Sequence, residues 1–503
     1  MARSARDVQL LVRWARDNGL PITARGSGSS MANGAVGAGL VLDLSRLAQV
    51  EPVSARERTV RCGAGALRDD VERAVHEHRL RFPVDPSSGS FCTIGGMVAT
   101  NAAGAHSLGY GATHAWVNAL DCVLADGTTA TLRRGERPSS ETAAFSRALE
   151  VLERARGHAE AFKRSVRKDS SGYGVGRWLE TGDLLDIIVG SEGTLALITD
   201  VELRLAPMAL ATSSVLAAFA DHDAATEGAR GAQEAGAVVC ELLDGTFLDA
   251  GQIARQLPGI PADSEVVLLV EVEGGYPAEA RARAAGVEER LRAAGATFTT
   301  MAVVPDAERE LWELRYGASP TLARLNPSLR SVQVIEDGAV PPAALGEYVR
   351  SVHTALDRQG LRGVIFGHAG DAHVHVNPLV DLSDPGWRPR LTALLEEITA
   401  VVVRLKGTLT GEHGDGRLRA PLLSRTWPEA AMQTFRELKA AFDPDGILNP
   451  GVKLPLPGQE PIEAVKYDPD LPSLPTSARR ALDRVAESRG YATSRLSLLE
   501  SES

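Results

Sequence analysis

At 503 residues the chain is too long for a single hydrophobic core, so two or three domains are expected. Its 44% apolar and 24% charged content is that of an ordinary globular protein, and a net charge of −11 argues against nucleic acid while still permitting a small anionic substrate held by a local arginine or a metal. Its four cysteines (Cys62, Cys92, Cys122, Cys240) lack C-x-x-C spacing, which excludes an iron–sulfur or zinc-ribbon site, and neither a signal peptide nor a run of about 18 apolar residues is present, so a cytoplasmic protein with no transmembrane segment is expected, peripheral membrane contact remaining open.

The first third reads as mixed α and β. Residues 7–18 carry a helical stripe (Val8, Leu11, Trp14, Ala15), followed by a short strand at 21–23 and the Gly/Ser loop Arg25-Gly26-Ser27-Gly28-Ser29-Ser30. Strands are predicted at 40–44 and 59–62, a helix at 67–78, a hairpin at 119–132 turning on Asp126-Gly127, and a long strand at 195–205 ending at Pro207. From about residue 208 the rhythm changes to strand 213–219, helix 221–235, strands 237–243 and 265–272, helix 277–294 and strand 296–304. That β-α-β-β-α-β order is ferredoxin-like. A looser repeat follows: helix 306–316, strand 331–336, helix 342–359, strands 362–366 and 373–377, helix 387–405. One large antiparallel sheet with helices on one face is therefore predicted. A helix at 428–443 stops at Asp443-Pro444-Asp445-Gly446. The segment beyond Gly451 is proline-rich, with a polar helix at 476–489 in a tail of surface or flexible structure. The expected partition is 1–207, 208–427, 428–455 and the tail 456–503.

The Arg25 loop fails the G-x-G-x-x-G test, because position 31 is Met and no helix follows directly. A Rossmann site is thereby disfavoured, although a nest of small residues can still hold phosphate. Four more segments of the same character follow: 83–88, Thr93-Ile94-Gly95-Gly96 with 97–104, 109–111 leading to 121–127, and 189–195. Each could be a turn. Five in series suit a long ligand threaded between two small sheets.

In that order the segments resemble the FAD-binding domain of the vanillyl-alcohol-oxidase type, and most closely the FAD-linked D-2-hydroxyacid dehydrogenases (D-lactate dehydrogenase, glycolate oxidase FAD subunit, D-2-hydroxyglutarate dehydrogenase). The resemblance runs from about residue 7 to 453 and includes the C-terminal return Ile447-Leu448-Asn449-Pro450-Gly451. It implies an α+β protein: an FAD-binding domain of two small α+β subdomains plus a ferredoxin-like cap. Arg25 to Ser30 would hold the pyrophosphate. Asp85, Pro86, Ser87, Ser88, Gly95, Gly96, Asn101, Ala103 and Gly104 would line the isoalloxazine and ribityl side, with Thr93 and Gly111 also binding the cofactor. Glu192, Gly193, Thr194 and Ile198 would surround the adenosine, with Asn449 on the returning segment. Some relatives attach FAD through a histidine in the first loop; Ser27 lies in that loop here and no histidine does, so non-covalent FAD is expected.

Four of the eleven histidines fall in Gly367-His368-Ala369-Gly370-Asp371-Ala372-His373-Val374-His375-Val376-Asn377 and Gly411-Glu412-His413-Gly414-Asp415-Gly416. On a strand, His373, His375 and Asn377 share a face. Two imidazoles and a carboxylate suit Zn²⁺ or Mn²⁺, although hydrogen-bonded structural histidines would give the same pattern. The resemblance assigns the metal ligands to His368, His375 and Glu412 and substrate contact to Asn377 and His413. His413 is also the natural base. Arg315 resembles the family's carboxylate-binding arginine, against the alternative of a solvated helix face. Ala372 and His373 depart from a usual Gly and Asn, so His373 is an added ligand, a supporting residue or a substrate selector.

The resemblance thus implies FAD- and metal-dependent oxidation of a small D-2-hydroxy acid. No cysteine follows Cys240, so electrons are expected to pass to a separate acceptor: a quinone, a cytochrome, an electron-transfer flavoprotein, an iron–sulfur partner or oxygen. An oligomer is compatible with this. The family usually has several dozen residues before the first helix, so either the start is misassigned or the edge of the domain is simplified, and the latter would weaken FAD retention. The competing readings are a non-catalytic FAD-binding relay subunit, which would need no His/His/Glu/His set, and a metal hydrolase, for which no H-E-x-x-H is present.

Overall fold

The computed structural model describes residues 1–136, 142–251, 259–302, 304–316, 328–463, 465, 468–480 and 484. The N-terminal half begins with helix α1 (Ala5–Asp17), capped by Ser4 and Asp7 in a reciprocal box that satisfies the first-turn amides. Strands β1 (Ile22–Arg25) and β2 (Leu40–Asp43) pair in parallel. The returning C-terminal segment runs beside β1, with Ile22 N–H donating to Ile447 O at 2.8 Å and Asn449 N–H to Ile22 O at 2.8 Å. Strands β3 (Thr59–Gly63), β4 (Val117–Val123), β5 (Thr129–Arg133) and β6 (Leu197–Arg204) form a four-stranded antiparallel sheet in the order β3-β6-β4-β5. Helix α2 (Arg68–His76) and the short helix α3 (Ile94–Thr100) pack on the same core. No helix was expected at α3, because two glycines lower helix propensity; the Thr93 hydroxyl, accepting from Gly96 N–H, caps it regardless. Just before the 189–195 segment, Leu185–Ile188 form a short helix.

The second half is built on an eight-stranded sheet with every pair antiparallel. Its strands are β7 (Ala211–Phe219), β8 (Val239–Asp244), β9 (Val266–Gly274), β10 (Phe298–Ala302), β11 (Leu329–Ser331), β12 (Gly338–Ala339), β13 (Arg362–His368) and β14 (His373–Asp381). The order is β10-β7-β9-β8-β13-β14-β11, with β12 also on β14, and its first four strands have the ferredoxin-like arrangement. Helices α4 (His222–Glu234), α5 (Pro277–Ala293), α6 (Leu345–Arg358) and α7 (Trp387–Arg404) bury their apolar stripes on one face.

Helices were expected on one face only. The other face is apolar too, with Leu216, Leu243, Leu269 and Phe366 covered by Phe247 from the helix Gly245–Gly251 and by Leu311 and Trp312 from Pro305–Tyr316. The strand expected at 331–336 is also corrected. The ladder stops at Ser331 and resumes at Gly338, because Glu336 and Asp337 turn inward to serve the site. The helix α8 (Glu429–Phe442) packs back on the N-terminal core. The polar helix expected at 476–489 lies mostly outside the described residues.

Candidate active site

One cavity of about 1190 Å³ runs between the two halves, at the upper end of small-molecule sites. Arg25, Gly26, Ser27, Gly28, Ser29 and Ser30 line one end. Asp85, Pro86, Ser87, Ser88, Thr93, Gly95, Gly96, Ala103, Gly104, Glu192, Gly193 and Ile198 line its length. His368, His375, Asn377, Glu412, His413 and Arg315 line the other end. Seven segments distant in sequence thus face one space.

Four of the sequence-expected residues do not line it. Asn101 ends α3 in a left-handed conformation, and its side-chain Oδ1 accepts from His114 N–H at 2.9 Å. Gly111 ends a short turn of helix. The Thr194 hydroxyl is taken by Ser191 O at 2.6 Å and lies 2.8 Å from Tyr173 Oη. Asn449 is a fastener, donating to Glu192 O at 2.8 Å and Gly34 O at 3.0 Å. Asn101, Thr194 and Asn449 have the polar character of binding residues but commit it to the backbone that shapes the cavity.

The antiparallel register of β13 with β14 sets His368 opposite His373 and Phe366 opposite His375. His368 Nε2 is 3.1 Å from Glu412 Oε1, His375 Nε2 is 3.4 Å from the same oxygen, and the two Nε2 atoms are 3.4 Å apart. Metal–donor bonds of about 2.0–2.1 Å put tetrahedral donors about 3.3–3.4 Å apart, so this triangle fits a divalent ion. The far nitrogens are tied down: His368 Nδ1 to Glu241 Oε1 at 2.5 Å, and His375 Nδ1 to Glu336 O at 2.9 Å. Ligand histidines are oriented by such contacts.

The electrostatics are those of a buried, mutually compensated cluster. Burial alone would raise Glu412, but the Lys168 ammonium at 2.8 Å and the His368 imidazole hold it well below the usual carboxylate range. Burial pushes His375 down to about 3, leaving it neutral as a ligand must be. His368, which burial would lower, is carried up to about 9 chiefly by Glu241. For His413 burial again acts downward, and Asp337, Glu336 and Glu412 more than offset it. Its Nδ1 lies 3.4 Å from Asp337 Oδ1 and its ring stacks on His375 at 5.1 Å.

Arg315 is not on a solvated helix face. It is buried, paired through Nε with Glu241, and its guanidinium sits 4.9 Å from the Phe366 ring centre at the cavity wall. Glu241 therefore links His368 to Arg315. His373 does not line the cavity, which removes the substrate-selector role. It is fully buried beneath Gly411, its Nε2 2.9 Å from Asp337 Oδ1, with a donor atom within 4.8 Å of those of His368, His375 and Glu412. Ala372 sits at φ 51°, a left-handed conformation that glycine adopts without strain.

Several residues escaped the sequence reading. Asp337 accepts from Glu412 N–H at 3.1 Å, His413 N–H at 2.9 Å and Arg419 Nη1 at 3.2 Å, and so fixes the 411–416 loop. Glu192, already expected beside the cofactor, also grips the same loop from the other half, accepting from Asp415 N–H at 2.6 Å and Gly416 N–H at 3.0 Å. A side chain at Gly414 would meet Glu192 at 2.7 Å and one at Gly416 would meet Ala32 O at 1.8 Å, both at positive φ. Lys168 joins Glu412 to Gly104 O and Asp371. The acidic pair Glu336-Asp337 directly after Val334 and Ile335 was the one legible signal; Lys168 and Arg419 carried none.

Residues 1–133 match the family described as FAD binding domain, and residues 210–452 match FAD linked oxidases, C-terminal domain. The glycolate oxidase subunit GlcD of Escherichia coli (strain K12) is 30% identical over 441 residues, covering 87% of this chain and 79% of that one. The chain belongs to the FAD-linked oxidases. The D-lactate dehydrogenase of Archaeoglobus fulgidus is 29% identical, covering 89% of each. Among solved structures, 4-ethylphenol oxidase from Gulosibacter chungangensis shares the fold, with a TM-score of 0.66 at 17% identity over 90% of this chain and 88% of that one.

This FAD-linked oxidoreductase has the features its cofactor requires. The cavity joins a Gly/Ser loop to the histidine cluster, and in that loop Arg25 Nε is buried with no hydrogen-bond partner among the described residues, a donor suited to an anionic group. No helix among the described residues is long and apolar enough to cross a membrane.

Proposed function

We propose that the chain oxidises a small D-2-hydroxy acid to the 2-oxo acid, using non-covalent FAD and a divalent metal, with electrons leaving to a separate acceptor. The observation that carries the reading is the triangle of His368 Nε2, His375 Nε2 and Glu412 Oε1 at 3.1–3.4 Å in the cavity that also holds Arg315 and His413. Bound FAD supplies the hydride acceptor, and a divalent ion such as Zn²⁺ or Mn²⁺ supplies Lewis acidity toward a hydroxyl.

The chain's own residues do the rest. His368, His375 and Glu412 hold the ion. Arg315, anchored by Glu241, presents its remaining guanidinium edge to the substrate carboxylate. Asn377, fixed by the Ser331 hydroxyl at 3.2 Å, faces the substrate from β14. His413 takes the hydroxyl proton, its ring oriented by Asp337. Arg25 to Ser30 hold the FAD pyrophosphate, with Asp85 to Ser88, Gly95, Gly96, Ala103 and Gly104 along the flavin side. The names of the relatives, a glycolate oxidase subunit and a D-lactate dehydrogenase, support the substrate class.

The test is a panel of D- and L-2-hydroxy acids with a dye acceptor, scoring the 2-oxo acid formed. Turnover of at least one D-acid, and loss of it in Arg315→Ala through KM, is expected. A yellow, metal-loaded protein that turns over no hydroxy acid would overturn the reading.

A further inference from the structure

A second histidine cluster lies on the opposite side of the large sheet, away from the cavity. His222 opens α4, Asp244 ends β8, and His353 lies in α6. His222 Nε2 is 2.8 Å and His353 Nε2 is 3.0 Å from the same oxygen, Asp244 Oδ2, and the three donor atoms all lie within 4.8 Å of one another. None of the three lines the cavity.

We propose that His222, Asp244 and His353 bind a second divalent cation of the imidazole-preferring kind, Zn²⁺ above all, which staples α4 and α6 to the end of β8. Both imidazoles turn Nε2 to one point. The remaining atoms are held from behind: Asp244 Oδ1 accepts from Thr246 N–H at 2.9 Å and Thr246 Oγ1 at 2.6 Å, and His222 Nδ1 is 3.3 Å from Glu265 Oε2. That carboxylate–histidine pairing orients metal ligands. Admitting an ion needs each imidazole nitrogen to part from the shared carboxylate oxygen by only about 0.3–0.6 Å, to the spacing of a tetrahedral site.

Access and selectivity follow from the same residues. Asp244 is 1% exposed, whereas the His353 side chain is 32% exposed and gives the ion a route from solvent. Two imidazoles and one carboxylate favour Zn²⁺, Cu²⁺ or Ni²⁺ over Mg²⁺ or Ca²⁺. Three protein donors leave one position for water.

The experiment uses the FAD-loaded full chain, stripped of metal and dialysed against Zn²⁺. The wild type is expected to bind one more zinc per chain than His353→Gln, and zinc to raise the Tm of the wild type more than that of the variant. Anomalous diffraction at the zinc edge on wild-type crystals is expected to place a peak among the three side chains, independently of any variant. Equal zinc content in wild type and His353→Gln, or no anomalous peak at Asp244, would overturn the site and leave an imidazole–carboxylate clip. The outcome does not depend on whether the cavity binds its own ion.

Discussion

Lys168 is buried against Glu412, Gly104 O and Asp371, so it joins the proposed metal ligand to the cavity wall. Removing it leaves a buried carboxylate without its nearest cation. Lys168→Met is expected to lower metal affinity or turnover by about 10–100-fold, as loss of a ligand-orienting contact does, measured by competition with a metal indicator and by kcat/KM. An unchanged affinity and rate would show that His368 alone orients Glu412. His413→Ala is expected to slow flavin reduction by about 10²–10⁴-fold while FAD stays bound, the usual worth of a general base. A loss of less than threefold would assign the proton to another group. His106 belongs to this scale too. Its Nδ1 is 2.6 Å from Asp85 and its Nε2 3.1 Å from Glu271, and its ring stacks on Trp312. Burial alone would lower its pKa; the Asp85 and Glu271 carboxylates raise it well above the ordinary value, and Asp85, which burial would raise, is lowered by His106. A raised histidine pKa stabilises fully below its unfolded value of about 6.5 and loses that contribution as pH rises through the folded value. A lowered aspartate pKa stabilises above about 3.9 and loses its contribution as pH falls. His106→Gln is therefore expected to reduce the fall in Tm that the wild type shows on going to alkaline pH. Parallel wild-type and variant Tm profiles would contradict that.

Among the elements, the 411–416 loop has the most at stake, because it carries Glu412 and His413 yet has no regular structure of its own before Gly416. Asp337 and Glu192 hold it through backbone amides from opposite halves of the molecule. Asp337→Asn removes the charge that Arg419, His373 and two amides share, and a broken buried pair costs about 3–5 kcal/mol. Lower Tm together with a lower kcat is expected; full activity in a stable variant would show the loop to be self-supporting. The sequence was informative where periodicity decides structure. The helices of the second half and the strands from Ala211 to Ala302 follow their apolar spacing, and β13 and β14 put His368, His375 and Asn377 into one cavity as period two requires. It misled where side chains override the local pattern: 332–337 leaves the sheet because His375 Nδ1 needs Glu336 O and Gly411 N–H needs Asp337 O. Asn101, Thr194 and Asn449 misled for a related reason, since a polar residue beside a cavity serves its backbone as readily as its ligand.

For the molecule as a whole, the cavity exists only where the two halves meet. Arg25 and the glycine loops come from the first half, the histidines from the sheet of the second, and Glu192, Lys168 and the C-terminal return tie them together. The segments that line the cavity were legible because each is local in sequence. The charges that hold them were not, because Lys168 with Glu412, Glu241 with Arg315 and Asp337 with Arg419 are pairings across long stretches of chain. The central claim is that hydroxy-acid oxidation here depends on both flavin and the His368–His375–Glu412 site. Its most direct test is anaerobic mixing of the FAD-loaded, metal-loaded protein with D-2-hydroxy acids, following the flavin absorption band, with Glu412→Gln as the comparison. Rapid bleaching by a D-acid in the wild type, lost in Glu412→Gln and after chelation while FAD remains bound, is the predicted result. Equal bleaching in wild type, Glu412→Gln and chelated protein would contradict the account.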